Sequence, residues 1–224
     1  MERQKFIREF FESEKFPYFF LTVMYSVGIA GHLIPQLLHL MLFLTPFTLL
    51  LTGGYLLYYE RKHLSNKFKI WLIITYLVTF SLEAVGVATG IIFGEYSYGD
   101  TLGFKIFDVP LIIGFNWVLV ILGCLNLIQK YINNIWLISI LVSLSAVLFD
   151  YFLEPVAINL NYWSWEGVAV PLQNYIAWFL ISFAASLFYL KMKLKIPDFV
   201  PAYYTFIQLV FFLVIGLFSN LQDF

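Results

Sequence analysis

The chain has 224 residues, of which 61% are hydrophobic, 21% aromatic and only 12% charged, and its mean hydropathy is +0.83. A soluble domain of this size has too little interior for so much apolar surface, so a bilayer must solvate most of it. A net charge of −1 argues against nucleic acid as a partner, and the single cysteine, Cys124, excludes an intrachain disulfide or a thiolate metal cluster.

The N-terminal stretch MERQKFIREFFESEKF mixes both charge signs without a long apolar segment directly after them, so it does not read as a cleaved signal peptide. Phe6, Ile7, Phe10 and Phe11 recur at helical spacing and predict a short helix on the membrane surface; a frayed charged tail over residues 1–15 fits the same residues. Seven apolar spans follow, at about Phe16–Ile34, Leu37–Tyr59, Phe68–Phe93, Val109–Ile128, Ile132–Leu153 or beyond, Gln173–Leu190 and Pro201–Phe218. The short connections predict antiparallel neighbours in one all-α, polytopic membrane bundle, a single transmembrane domain over residues 1–224.

His32 and His39 flank the first turn, where they could line a site, although hydrogen bonding at the helix ends accounts for them; with His63 they are too scattered to build the histidine boxes of a di-iron oxygenase. The third span carries Glu83 about 15 residues in, roughly 22 Å from its start at 1.5 Å per residue. Gly86, Gly90 and Gly94 follow, and on a helical wheel Gly90 and Gly94 fall on the face of Glu83. They predict either a close helix–helix contact or a smooth groove for a long ligand. A loop with Glu95-Tyr96-Ser97-Tyr98 leads to Val109-Pro110 and the fourth span, with Asn116 and Trp117. The fifth span carries Asp150 and Glu154, and Pro155 is expected to end or kink it. The second loop, Trp163-Ser164-Trp165-Glu166, leads to Val170-Pro171, Asn174 and Trp178. The last span holds no lysine, which excludes a retinal Schiff base there.

These elements repeat. Glu83 and Asp150 each lie 13 residues before an aromatic-Ser-aromatic triplet, and Trp117 and Trp178 each lie 7 residues after a Val-Pro. Spans three–four and five–six therefore form a parallel pseudo-repeat about an axis along the membrane normal, an arrangement that places sites between halves. Twelve of the thirteen basic residues fall on one side of a seven-span topology and only Lys105 on the other. The positive-inside rule then predicts a multi-pass protein of the cell (inner) membrane with a cytoplasmic N-terminus, an outer C-terminus and both aromatic loops outside.

An acid within a span is costly and marks function by default; an interhelical hydrogen bond to Asn116 or a tyrosine is the plainer account. No lysine or arginine lies deep within a span to neutralise Glu83 or Asp150. A neutral and an ionised carboxyl facing one another suit proton transfer. Tyr96, Tyr98, Trp163 and Trp165 fit an aromatic belt at the headgroups, or ring faces that stabilise a cation without quenching it. Glu95 and Glu154 are secondary acid candidates. There is no phosphate loop, nucleophile elbow or dinucleotide fingerprint, and neither metal nor cofactor is expected.

The segments EAVGVATGIIFGEYSYGDTLGFKIFDVPLIIGFNW (Glu83–Trp117) and DYFLEPVAINLNYWSWEGVAVPLQNYIAW (Asp150–Trp178) resemble the integral-membrane carotenoid biosynthesis family that includes CruF-type carotenoid hydratases. The resemblance implies cofactor-independent addition of water to the terminal double bond of an acyclic (ψ) carotenoid end, giving a tertiary alcohol. The partners are then a membrane-dissolved carotenoid, the lipid bilayer and other carotenoid-pathway enzymes. Glu83 and Asp150 would be the acid–base pair, in either order. Asn116 and Asn174 would position water or an acid, and Tyr96, Tyr98, Trp163, Trp165, Trp117 and Trp178 would surround the end group beside Gly90 and Gly94. The alternatives are a noncatalytic carotenoid-binding scaffold, an end-group cyclase, which must exclude water, and a proton-coupled transporter, which needs a path open to both sides.

Overall fold

The computed structural model describes residues 13–167 and 169–219; the expected surface helix around Phe6–Phe11 lies outside them. Among the described residues seven helices are long and apolar enough to cross a membrane: α1 (Phe16–Leu33), α2 (Pro35–Tyr59), α3 (Asn66–Thr89), α4 (Leu111–Ile128), α5 (Ile135–Asn159), α6 (Leu172–Lys191) and α7 (Val200–Ser219). The chain is thus a multi-pass, all-α membrane bundle.

Local chemistry sets the boundaries. Ile34 precedes Pro35 and is extended (φ −100°, ψ 110°), so one residue divides α1 from α2. Ser65 caps α3 by accepting from the Phe68 N–H at 3.2 Å, and Asn134 caps α5 by accepting from the N–H groups of Trp136 and Leu137. Pro110 and Pro171 stand at matching places, each extended before α4 and α6 (φ −64° in both).

α4 packs against α2, α3, α5, α6 and α7 and is the central helix. It is apolar all round, as a helix without a solvent face should be, and 72% of its residues are buried. Peripheral helices bury one stripe. On α5, Val142, Ala146, Phe149 and Asp150 face inward, while Leu144, Leu148 and Tyr151 are more than half exposed and face the position of lipid. Hydroxyls within the spans, such as Thr52, Thr79, Ser139 and Ser143, donate back to the carbonyl one turn earlier, which satisfies them without water.

Two expectations are corrected. α3 stops at Thr89 instead of running to Phe93, because Gly90 adopts the left-handed C-cap (φ +67°) and Gly94 is also left-handed (φ +109°). Gly90 and Gly94 therefore do not share a helical face with Glu83; Gly94 instead lets the chain pass Pro171, whose Cγ an added Cβ would meet at 2.8 Å. Of the two outcomes expected at Pro155, an end or a kink, the end is the one overturned: α5 continues to Asn159. The Pro155 ring is exposed on the outer face of the helix, where the lost N–H bond leaves the inward packing of Leu153, Glu154 and Val156 intact.

The connections hold the only strands among the described residues. β1 (Tyr96–Tyr98) pairs antiparallel with β4 (Trp163–Trp165), and β2 (Lys105–Ile106) with β3 (Val109–Pro110). The second pair turns on Phe107 and Asp108, both left-handed, as a two-residue hairpin requires. This hairpin accounts for the greater length of the first loop.

Candidate active site

The two aromatic triplets form a single ribbon. Its register pairs Tyr96 with Trp165, Ser97 with Ser164 and Tyr98 with Trp163. Only the central serines meet their counterparts in the pseudo-repeat; the flanking aromatics pair crosswise, as a two-fold axis through Ser97 and Ser164 demands. Alternation along a strand sends the aromatics to one face and the serines to the other. The serines are exposed with their Oγ atoms 3.3 Å apart, and the aromatics point into the bundle. Below the ribbon Trp117 and Trp178, the other equivalent pair, stack at 3.5 Å between ring centres and 17° between planes.

The aromatic side chains aim their polar atoms at carboxylates. Tyr96 and Tyr98 both donate their phenol O–H to Glu83 Oε2, the latter at 2.7 Å. Burial, followed by the charge of Glu83, raises both phenols above their ordinary pKa, so they stay protonated donors. Trp163 and Trp165 both donate their indole N–H to Glu154 Oε2 at 2.9 Å. Asn174 completes the cluster: its amide donates to Asp150 Oδ2 at 2.7 Å and to Glu154 Oε1 at 3.3 Å. Glu83, Asp150 and Glu154 are all buried, and among the described residues no lysine or arginine pairs with them.

The sequence pattern aligned Asp150 with Glu83, yet the indoles bind Glu154, one turn further along α5. The aromatic-belt reading fits these rings less well than a donor role, since their polar edges face inward. Asn116 is not near an acid. It precedes Trp117 on α4, so it faces α7, where its Oδ1 accepts from Gln208 Nε2 at 3.0 Å. Glu95 is exposed beside Glu166, whose N–H bonds its carbonyl at 3.0 Å, and takes no part in the cluster. Gly90 and Gly94 shape the turn behind the ribbon. The signal for Gln208 was visible as a lone amide in an apolar span; its contacts with Tyr25 (2.8 Å) and Asn116 were not.

Two spaces meet at this site. A crevice of about 20 Å³, room for about one water, lies among Glu83, Asp150, Glu154 and Asn174. A larger cavity of about 180 Å³ lies between α1, α2, α4 and α7, lined mostly by apolar side chains with Asn116, Gln208 and His32 among them. Ile113, Trp117 and Trp163 border both spaces and form the partition. His32 Nδ1 is 2.7 Å from the Gly28 carbonyl, so this ring both bonds its own helix and lines the cavity. Leu102, carried by the longer first loop, closes one side.

Fold and site together define a multi-pass membrane protein with a buried carboxylate centre beside an apolar cavity. The family described as "Carotenoid biosynthesis protein" matches residues 38–221, and the chain belongs to that family. A bisanhydrobacterioruberin hydratase of Haloarcula japonica is 31% identical over 123 residues, covering 50% of this chain and 41% of that protein. No solved structure matches the chain significantly.

Proposed function

We propose that this member of the carotenoid biosynthesis family is a hydratase, adding water to the terminal double bond of an acyclic carotenoid end group. The observation that carries the reading is the pairing of a one-water crevice among three carboxylates with an apolar cavity across Trp117 and Trp163. The similar hydratase supports the reaction class. An alkene end in the cavity and a water in the crevice bring together the two reactants.

Glu83 accepts two phenolic bonds on one oxygen, the environment of a carboxylate anion. Asp150 and Glu154 share the amide of Asn174 with no cation near, so one proton between them relieves their repulsion. The Asp150–Glu154 pair is then the acid. It protonates the less substituted alkene carbon, leaving a tertiary cation that the faces of Trp117 and Trp163 stabilise. The oxygen of water bonds to that cation, and its surplus proton passes to Glu83, directly or through Tyr96 and Tyr98. Proton return from Glu83 to the pair resets the site, and one water is consumed per turnover. With the basic ends of the helices in the cytoplasm of a cell membrane, the ribbon lies at the outer surface, where water is at hand.

Expression in a lycopene-producing host, with pigments analysed by chromatography and mass, tests the proposal. Hydration gives products heavier by one or two waters. Products of unchanged mass would show cyclisation instead, and unaltered lycopene would leave a scaffold or a transporter for that pigment.

A further inference from the structure

At the end of the bundle remote from the carboxylate crevice, three side chains with metal-ligand chemistry converge. They are Glu60 in the 3₁₀ turn after α2, His63 directly beyond it, and Asp198 in the connection into α7; one ligand atom of each lies within 4.8 Å of the others. The 3₁₀ turn, with about three residues per turn, puts Glu60 and His63 on one side, and the His63 N–H bonds the Glu60 carbonyl at 2.8 Å. Asp198 is fixed from a third direction. Asn126 of α4 donates its amide to the carbonyls of Ile196 and Asp198, both at 3.0 Å. The cluster is therefore drawn from two segments, residues 60–63 and the connection holding Asp198, with the second fixed by Asn126 of α4, and is not a chance meeting of long side chains.

Glu60 calls for a partner. It is fully buried, and among the described residues neither carboxylate oxygen has a hydrogen-bond donor. An acid so placed is ordinarily paired, hydrogen-bonded or bound to a metal. Arg61 is turned away, donating to the Tyr58 carbonyl at 2.7 Å and lying over the Tyr58 ring. Among the described residues no lysine or arginine bridges to Glu60 or Asp198. His63 Nε2 lies 3.3 Å from Asp198 Oδ2, which answers one acid and leaves the other.

We propose that Glu60, His63 and Asp198 bind a divalent transition-metal cation, zinc being the best fit. One imidazole with two carboxylates suits zinc better than magnesium or calcium, which favour all-oxygen shells. Bonds of about 2.0–2.2 Å in a tetrahedral shell separate ligand atoms by roughly 3.4 Å. His63 and Asp198 already meet that spacing at 3.3 Å, and rotation of the Glu60 side chain would close the two remaining edges. The fourth position is left for water. The ion ties the end of α2 to the start of α7, the helix that carries Gln208, Phe211 and Phe212 into the apolar cavity. Its role is structural, and it is independent of the reaction proposed above.

The test uses the full chain in lipid nanodiscs, with any affinity tag removed and metal stripped by a chelator. Zinc titration should show one ion per chain and a higher thermal unfolding midpoint. Glu60→Gln should weaken zinc binding by at least about a hundredfold, beyond what loss of an outer-shell partner does. His63→Gln and Asp198→Asn, at half-exposed positions, serve where Glu60→Gln folds poorly, and His39→Gln should change nothing. The stabilities should also cross: stripped of metal, Glu60→Gln is the more stable protein, and with zinc the wild type is. Absence of saturable zinc binding by the wild type, or equal affinity in all four variants, overturns the site.

Discussion

The two halves of the ribbon hold their acids with different donors. Tyr96 and Tyr98 converge on one oxygen of Glu83, and Trp163 and Trp165 converge on one oxygen of Glu154. A phenol donates, accepts and titrates, whereas an indole N–H only donates. The phenolic half can therefore pass a proton to or from its carboxylate; the indole half can only hold its carboxylate in place. The acids differ in number as well. Glu83 has Val87 one turn later, where Asp150 has Glu154. Two hairpins that match in spacing thus differ in chemistry, one half suited to accepting a proton and the other to storing one.

The largest effect that separates the halves is on turnover. Glu83→Gln keeps the shape and an acceptor for the two phenols but removes the proposed base, and should lower the rate of the proposed hydration by about 10²–10⁴-fold. Pigment analysis of cells with matched protein levels measures it. If Glu83→Gln turns over normally while Asp150→Asn does not, Glu83 is not the base and the phenolic half has no part in the proton transfer. Next in size is the loss of the donors. Tyr96→Phe with Tyr98→Phe strips Glu83 of both bonds, each worth about 1.5–3 kcal/mol to a charged acceptor. Trp163→Phe with Trp165→Phe strips Glu154. The thermal midpoint should fall in both, and turnover should fall further in Tyr96→Phe/Tyr98→Phe, because a phenyl ring at position 163 still offers the cation an aromatic face.

Much of this asymmetry was out of reach of the sequence. The spans, the repeat and the depth of Glu83 and Asp150 follow from hydropathy and spacing, because those depend on local periodicity. The stack of Trp117 on Trp178 was implicit in the repeat, since residues near a two-fold axis meet their counterparts. The pairing of β1 with β4 needed the two loops to be adjacent in space, which no local rule supplies. Glu154 ranked behind Asp150 because only Asp150 keeps the 13-residue spacing, while the indole edges reach one turn further along α5. Asn116 and Trp117 show the same limit. Neighbours on a helix point about 100° apart, so one belongs to the partition and the other to the network with Gln208.

Alkaline pH offers a finer test, since only one half can titrate there. Burial and the charge of Glu83 raise Tyr96 and Tyr98 above the ordinary value of 10.0. Above that pH the unfolded chain loses protons that the folded chain keeps, so stability is full below about pH 10 and falls as the pH rises past it. The slope is about 1.4 kcal/mol per pH unit for each phenol so held. Unfolding midpoints measured between pH 9 and 11, on the order of one unit either side of the phenol value, should decline less steeply in Tyr96→Phe/Tyr98→Phe than in the wild type. Trp163→Phe/Trp165→Phe should keep the wild-type slope. Equal slopes in all three would mean that the phenols are not held by Glu83.

The smallest effect belongs to the outer face of the same ribbon. Ser97 and Ser164 sit on the axis, exposed, with Oγ atoms 3.3 Å apart. If the ribbon works by aiming its aromatic face at the acids, the serines only keep that opposite face polar. Ser97→Ala with Ser164→Ala should then change stability by less than about 0.5 kcal/mol, as at other exposed positions, and leave turnover unaltered. A rate loss comparable to that of the tyrosine pair would move part of the chemistry to the outer face, and would make the central pair of the repeat a functional element in its own right. An unaltered rate restricts the ribbon's share of the function to its four inward rings, where the two halves present phenols on one side and indoles on the other.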